Sequence, residues 1–457
     1  MLHNRIKTTI AALLVGIMLL SSCTKEAEVM ETAVVTETAA LRAAMSDYDA
    51  AAKLPVKTIS GEIKANTTWY KNYVYELSGI VAVTNGATLT IEPGTMIKAK
   101  PLAGQASGVL VICKGAKIKA VGTPTQPIVF TSYNLLDKNP ATTPETGDFG
   151  GIVLLGAAPV NTPSDKRVIE GVNSDDIRFS YGGSYAEDNS GIMQYVRIEY
   201  AGYELEKDNE INGLTCGGVG SGTTLDHIQV SWGKDDSFEF FGGTVNASYL
   251  ISYAADDDNF DFDNGYRGTI KYALSLANST STHSASKGKT DSNGIELDNN
   301  ATDQDENYSL TPKTHPTLNY VTIVGTKTRV QAPFKQKDES TIISDAYKYG
   351  ARIRRGGEIT MMNSIITGYP MGLVIDKDAD KSKSSFINCA FHGFDAPFSP
   401  TPMVAGITGA ASKPGAAAIT FGMKDPFYDT MNFNTAANGR GAFANNSTWH
   451  LGWTLFN

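Results

Sequence analysis

From Val56 onward the chain alternates apolar and polar residues in short runs separated by glycines, with no sustained helical period. A period of two over four to eight residues marks a β-strand with one buried face. Several runs superimpose. They are MQYVRIEYAG from Met193, LDHIQVSWG from Leu225, LNYVTIVG from Leu318, MNSIITG from Met362 and INCAFHG from Ile387. Each opens on an apolar residue, continues with Asn, Asp or Gln, and then alternates. Asn319 and Asn363 stand 44 residues apart, twice 22, and Asn363 and Asn388 stand 25 apart. Such a repeat is one coil of a parallel β-solenoid, whereas a propeller would repeat at about 40 to 45 and a TIM barrel would need helices between strands. The pattern therefore predicts an all-β, right-handed parallel β-helix. Gln194, Asp226, Asn319, Asn363 and Asn388 would stack inside a turn as an amide ladder and satisfy its backbone groups.

A second strand also repeats. Leu214-Thr215-Cys216, Phe238-Glu239-Phe240, Phe260-Asp261-Phe262, Ile295-Glu296-Leu297, Ala351-Arg352-Ile353 and Leu373-Val374-Ile375 all read apolar, variable, apolar. Strand alternation sends the flanking residues into the core and the middle residue outward. With coils about 4.8 Å apart, Glu239, Asp261 and Glu296 form a ladder of carboxylates followed by Arg352. Two residues on, Phe241, Asp263, Asp298 and Arg354 form a parallel column. Like charges in register cost roughly 0.2 to 1 kcal/mol per pair, so compensation is expected from the arginines, a bound cation or raised pKa values. The preceding turn adds acid, because KDDSFEFFGG from Lys234 aligns with DDDNFDFDNG from Asp256 at an offset of 22. Asp235 then lies beside Asp257 and Asp236 beside Asp258. Together with Asp261 these are candidate ligands for Ca²⁺, which prefers oxygen donors.

Residues 57–80, with Trp69, Tyr70, Tyr73 and Tyr75, are expected to cap one end of a helix spanning 57–394, and residues 395–457 to cap the other, since open solenoid ends invite strand pairing. The polar stretches 278–292 and 299–316 read as loops. Tyr200, Trp232 and Tyr369 share the parity of inward residues and read as core rather than as a sugar platform. Cys113, Cys216 and Cys389 are far apart in apolar contexts and read as core residues.

The first 22 residues carry Arg5 and Lys7 ahead of an apolar run from Ala11 to Leu20, too short to span a bilayer and typical of an export signal. The following order, Leu20-Ser21-Ser22-Cys23, resembles a bacterial lipobox. That resemblance implies cleavage before Cys23, its acylation, and an anchor in a membrane rather than across it. Residues 23–56 read as a flexible tether. Thr24-Lys25-Glu26-Ala27-Glu28 resembles the surface-export signal of Bacteroidota lipoproteins, which implies the exterior face of the outer membrane.

GATLTIEPGT at Gly86, GAKIKAVGT at Gly115 and PIVFTS at Pro127 resemble the first coils of pectate-lyase-like β-helices and adhesins. With GDFGGIVLLGAAPV at Gly147 and TWHLGWTLFN at Thr448, the chain is similar to Bacteroidota β-helix lipoproteins along nearly its whole length. The resemblance implies fold and location but no reaction. A pectate-lyase-like enzyme would hold Ca²⁺ against a uronate and use an arginine, for which Arg352 and Arg354 are the positions by analogy. A β-helix glycosidase would use a carboxyl pair, so Glu239, Asp261, Glu296 and Arg352 are the catalytic candidates, with Asp263, Asp298 and Arg354 as ligand-binding neighbours.

A net charge of −9 without a basic cluster argues against a nucleic-acid partner. No HExxH, CxxC, GxSxG or P-loop occurs, and the six histidines are dispersed. Three functions stay open: a surface protein that binds a glycan or other polymer, or serves as accessory to a TonB-dependent transporter; a polysaccharide lyase or hydrolase; and an adhesin-like stalk. The first is preferred, because no complete catalytic motif accompanies the fold.

Cys23→Ala is expected to move the protein from the membrane fraction to the soluble fraction. An intact-mass spectrum of the mature chain checks it; a mature N-terminus that is unacylated, or that begins elsewhere than Cys23, would refute the anchor.

Overall fold

The computed structural model describes residues 44–100, 108–164, 167–172, 176–202, 204–206, 209–278, 284–286, 289–290, 292–325, 331–336, 341–345, 348–401, 405–411, 439–444 and 447–456. The expected signal and Cys23 lie outside the described residues.

Parallel strands stack into a β-helix with three walls, as the repeat predicts. Five long strands, Gly191–Glu199, Thr224–Ser231, Asn246–Tyr253, Thr269–Leu276 and Thr317–Val324, pair in sequence. Each bends at one residue with positive φ, namely Tyr195, His227, Tyr249, Tyr272 or Tyr320, at 51° to 60°. The leading half of each strand belongs to the first wall and the trailing half to the second. The third wall stacks Val109–Ile112, Gly151–Leu155, Leu214–Gly217, Phe238–Phe241, Phe260–Asp263, Ile295–Leu297, Tyr349–Ile353 and the latter part of Ile365–Ile375.

Left-handed backbone is costly for tyrosine, and the corner offsets that cost by stacking. Ring centroids are 4.4 Å apart from Tyr195 to His227 and from His227 to Tyr249, then 5.2 Å from Tyr249 to Tyr272 and from Tyr272 to Tyr320. Inside, Phe238 stacks on Phe260 at 5.3 Å and Phe240 on Phe262 at 5.5 Å. All four are buried, and each contributes about 1.5–3 kcal/mol of apolar burial. Cys113, Cys216 and Cys389 are free and buried, as read from their surroundings.

The amide ladder lies outside, contrary to expectation. Asn388 Nδ2 donates to Asn363 Oδ1 at 2.8 Å, Asn363 Nδ2 to Asn319 Oδ1 at 3.1 Å, and Gln194 Nε2 to Asp226 Oδ1 at 3.0 Å. Asn388 is exposed and the other four are half-buried. The register is also shifted by one, since Asn319 pairs with Met362. Asn363 and Asn388 occupy the corner itself at φ 49° and 54°, where asparagine tolerates the left-handed region better than most residues.

The chain covers much of its own solenoid. Residues 44–51 form a helix on the second wall, so the segment expected to be flexible to residue 56 is folded from 44. Its Ala44, Tyr48 and Ala51 pack against Val74, Met96, Val129 and Leu136. Tyr48 Oη donates to both oxygens of Glu199 at 2.7 and 2.8 Å, Thr131 Oγ1 adds a third bond at 2.7 Å, and Arg197 pairs with Glu199 at 3.0 Å. Residues 57–80 are not a separate cap: Val56–Ile63 pairs with Val74–Val83 and is the first coil.

The far end differs too. Of the expected 395–457 cap, 395–399 and Ile407–Ala411 continue the solenoid and 439–456 run back along the second wall, while 412–438 lie outside the described residues. Arg440 reaches Asn388, Ala442 N donates to Thr322 Oγ1, and Leu455 N and O bond the Gln229 amide. Phe443, Trp453 and Phe456 pack on Tyr253, Leu276 and Val324, whose outward side chains are apolar and need cover.

A third cover lies on the third wall, where Val160, Ile169, Val172, Phe179 and Tyr181 from the 156–183 excursion pack on Val109, Val111, Val153 and Leu155. Gly217 permits the close approach, because a Cβ there would come within 3.0 Å of Tyr181. Of the expected loops, 284–286 and 289–290 are strands that join 331–336 and 341–345 in a small separate sheet. The 299–316 loop is tied down by buried Asn299, whose backbone and side-chain oxygens both accept from Asn161 Nδ2.

Tyr48→Phe is expected to cost about 1–3 kcal/mol, since it removes a donor from the buried Glu199 carboxylate. Denaturant midpoints measure this; a midpoint equal to wild type would mean that the helix is not held by that bond.

Candidate functional site

The outer side of the third wall changes character along the axis. Over the first coils it is apolar, and after Thr215 the outward residues in register are Glu239, Asp261, Glu296, Arg352 and Val374. One column over, Phe241 pairs with Asp263, and Asp298, Arg354 and Asp376 follow at equivalent positions. On the other side, two residues before the acidic strand, the same register gives Asn212, Asp236, Asp258 and Asn293. Both predicted columns are therefore present.

Their environment differs from an open, solvated face. Glu239, Glu296, Asp298, Asp236 and Asp258 are all more than nine-tenths buried, while Asp235, Asp257, Asp261 and Asp263 are half-buried. The turns before and after each strand rise beside the wall and bury it. Three overlapping triads result: Asp235, Asp236 and Asp257; Asp236, Glu239 and Asp261; and Asp258, Asp261 and Glu296, each with one oxygen per residue within 4.8 Å of the others.

The charges are compensated unevenly. Arg354 bonds Glu296 and also Asp298 at 2.8 Å, and Arg355 bonds Asp298 at 2.6 Å. Arg352, in register with Glu296, turns to the next coil and pairs with Asp376 at 3.1 Å. Among the described residues no lysine or arginine forms an ion pair with Asp236, Glu239 or Asp261. Asp236 accepts the Asp258 N–H at 2.8 Å and Glu239 accepts from Asn212 Nδ2. Asp261 Oδ1 is buried without a partner.

Burial accordingly pushes the carboxyls of Asp236, Glu239 and Asp261 well above their ordinary range, and neighbouring carboxylates push the same way. Asp298 is raised by burial and by Asp263, against its arginines. Asp263 is raised to about 6 by burial, opposed by the Asn264 N–H and by Arg355 and Arg354.

These residues fit a hard divalent cation. All donors are oxygens, the triads match the spread of ligands around Ca²⁺ at 2.3–2.6 Å, and Asp261 Oδ1 is an orphaned acceptor. Asp236 and Asp261, each in two triads, would be its central ligands. The catalytic candidates fit less well. Arg352 and Arg354 are held in ion pairs with carboxylates, and Glu239 and Glu296 are buried.

Asn212, Asn293, Arg355 and Asp376 were not singled out from the sequence. Asn212-Gly213 and Asn293-Gly294 stand at equivalent places before their strands, a repeat that could have shown the amides capping both ends of the acidic run; Asn293 Nδ2 bonds Glu296 at 3.1 Å. Of the aromatic positions, Tyr369 is in the core, Tyr200 is buried, and half-buried Trp232 packs on Tyr253 at 5.5 Å.

Compared with protein families, residues 61–454 match the pectate-lyase-like β-helix domain. The chain belongs to that family. No curated protein and no solved structure matches it. In this β-helix protein the acidic columns occupy a wall rather than a loop, so coil register alone brings the carboxylates together.

A carboxyl whose folded pKa is raised binds protons more tightly in the native state, so its contribution to stability falls as pH rises from the ordinary value of about 4 through the folded one. Without metal, Asp261→Asn is therefore expected to melt above wild type at pH 8, with the gap closing toward pH 4. Thermal melts in chelator across that range check it; a gap independent of pH would mean Asp261 ionises freely.

Proposed function

We propose that this β-helix protein is a non-catalytic binding protein anchored through Cys23 to the outer membrane and facing the exterior. There it captures a glycan or other polymer, or serves a TonB-dependent transporter as accessory, with Ca²⁺ held on the third wall by Asp236, Glu239 and Asp261. The observation that carries the reading is the uneven compensation of the acidic run. Its arginine-facing end is neutralised within the chain, and its middle keeps buried Asp236 and Glu239 and half-buried Asp261, one oxygen of which is orphaned.

A bound cation would supply the missing positive charge and fix the coils that contribute ligands. Half-buried Asp235 and Asp257 lie at the accessible edge of the same cluster, where an anionic polymer could share the ion. Catalysis is disfavoured by the same geometry. A lyase needs an arginine able to take a proton, and a glycosidase needs two carboxyls that reach the sugar; here the arginines are paired and the glutamates buried.

Ca²⁺ is expected to raise the melting temperature of wild type, and Asp236→Asn with Asp261→Asn to weaken Ca²⁺ by about tenfold or more while folding normally. Calorimetric titration measures the affinity, and product analysis with soluble polysaccharides should show depletion without new reducing ends or unsaturated ends. Identical Ca²⁺ isotherms for the two proteins would remove the cation site, and turnover would remove the non-catalytic assignment.

A further inference from the structure

Among the described residues, the second wall is covered by the 44–51 helix and the 439–456 segment, and the third by its excursion and flanking turns. None of the described residues outside the wall's own coils packs over the outer side of the first wall. Along it one outward column reads Thr224, Asn246, Thr269, Thr317, Thr360 and Ser385 on six successive coils, joined by strand pairing and by the Thr269 N–H bond to Asn246 Oδ1 at 2.9 Å. Every member carries a hydroxyl or an amide. Thr224, Asn246 and Ser385 are exposed and the three other threonines half-buried.

We propose that this wall docks a neutral linear polysaccharide lying along the helix axis. The inference rests on the reading that the protein captures a polymer, and it places capture away from the cation wall. The face of a sheet has no free backbone groups, so recognition falls to side chains, and these repeat at the coil spacing of about 4.8 Å. A chain of hydroxylated rings presents donors and acceptors at regular intervals, so contacts on successive coils add along one ligand.

Other partners fit less well. A protein interface is organised around an apolar centre, and the exposed large apolar residues here, Ile192 and Ile387, flank the two ends of this six-coil stretch rather than its middle. Over these six coils the adjacent outward column holds Asp226 and Lys271, two coils apart and opposite in sign, so this stretch carries no net charge to attract a polyanion; exposed Lys117 and Lys119 lie on an earlier coil of the wall, beyond Ile192. Its margin is the ring column of Tyr195, His227, Tyr249, Tyr272 and Tyr320, backed by Trp449 and Trp453. Those ring faces are used in stacking on one another, which leaves edges and phenol hydroxyls for a ligand.

The test is calorimetry or affinity electrophoresis with soluble β-glucan, xylan, mannan and polygalacturonate, each with Ca²⁺ and with EDTA. Wild type is expected to bind at least one neutral polymer equally in both conditions. Thr269→Glu with Thr317→Glu should weaken it about tenfold or more, and Thr269→Ala with Thr317→Ala should weaken it measurably without adding charge. Neutral-polymer binding unchanged in both threonine pairs would overturn the assignment of this wall and leave polymer capture standing. So would wild-type binding confined to polygalacturonate with Ca²⁺. Binding of none of the four would overturn both.

Discussion

The whole structure depends on backbone hydrogen bonding between successive coils. Each coil donates and accepts along three walls, so a residue is fixed beside its equivalent one coil away and has little freedom to choose another neighbour. Phe238 must meet Phe260, Glu239 must meet Asp261, and Tyr249 must meet Tyr272. Where the equivalents are apolar or aromatic this constraint gives the core and the corner stack. Where they are carboxylates it forces like charges together, and the rest of the molecule has to accommodate them.

The corner between the first and second walls shows how strictly the constraint acts. One residue per coil turns the chain in the left-handed region, and tyrosine or histidine fills the position in five successive coils. Conformational cost is accepted there because stacking is available there. Later in the chain the same place is taken by Asn363 and Asn388, which need less compensation and carry the ladder on through amides. Excursions leave from the other corners, and so the tall loops border the third wall.

Covering segments answer a second physical problem. Outward positions on two walls include apolar residues, such as Tyr253, Leu276 and Val324 on one and Val111, Val153 and Leu155 on the other. The returning C-terminal segment buries the first set, and the 156–183 excursion, which directly follows Leu155, buries the second. The N-terminal helix and the C-terminal segment meet through Tyr48 and Leu455 in one apolar cluster, which brings the part of the chain that follows the expected lipid against the part that ends it. The third wall then passes from apolar cover to acid to arginine, and its middle holds buried carboxyls that a cation would complete.

The sequence by itself determined the solenoid, its repeat, the inward and outward residues of the six superposable strands, and the two columns headed by Glu239 and Phe241. These follow from alternation and period, which are local properties carried by every coil. It did not determine burial of the acidic run, because the turns that bury it and the Arg352 to Asp376 pair belong to the geometry between coils. It misplaced Asn363 and Asn388 by one position, since a single left-handed residue leaves no trace in an apolar pattern. The helix at 44–51 and the returning C-terminal segment were likewise decided only by tertiary structure, because their apolar residues gain meaning from walls built by other parts of the chain.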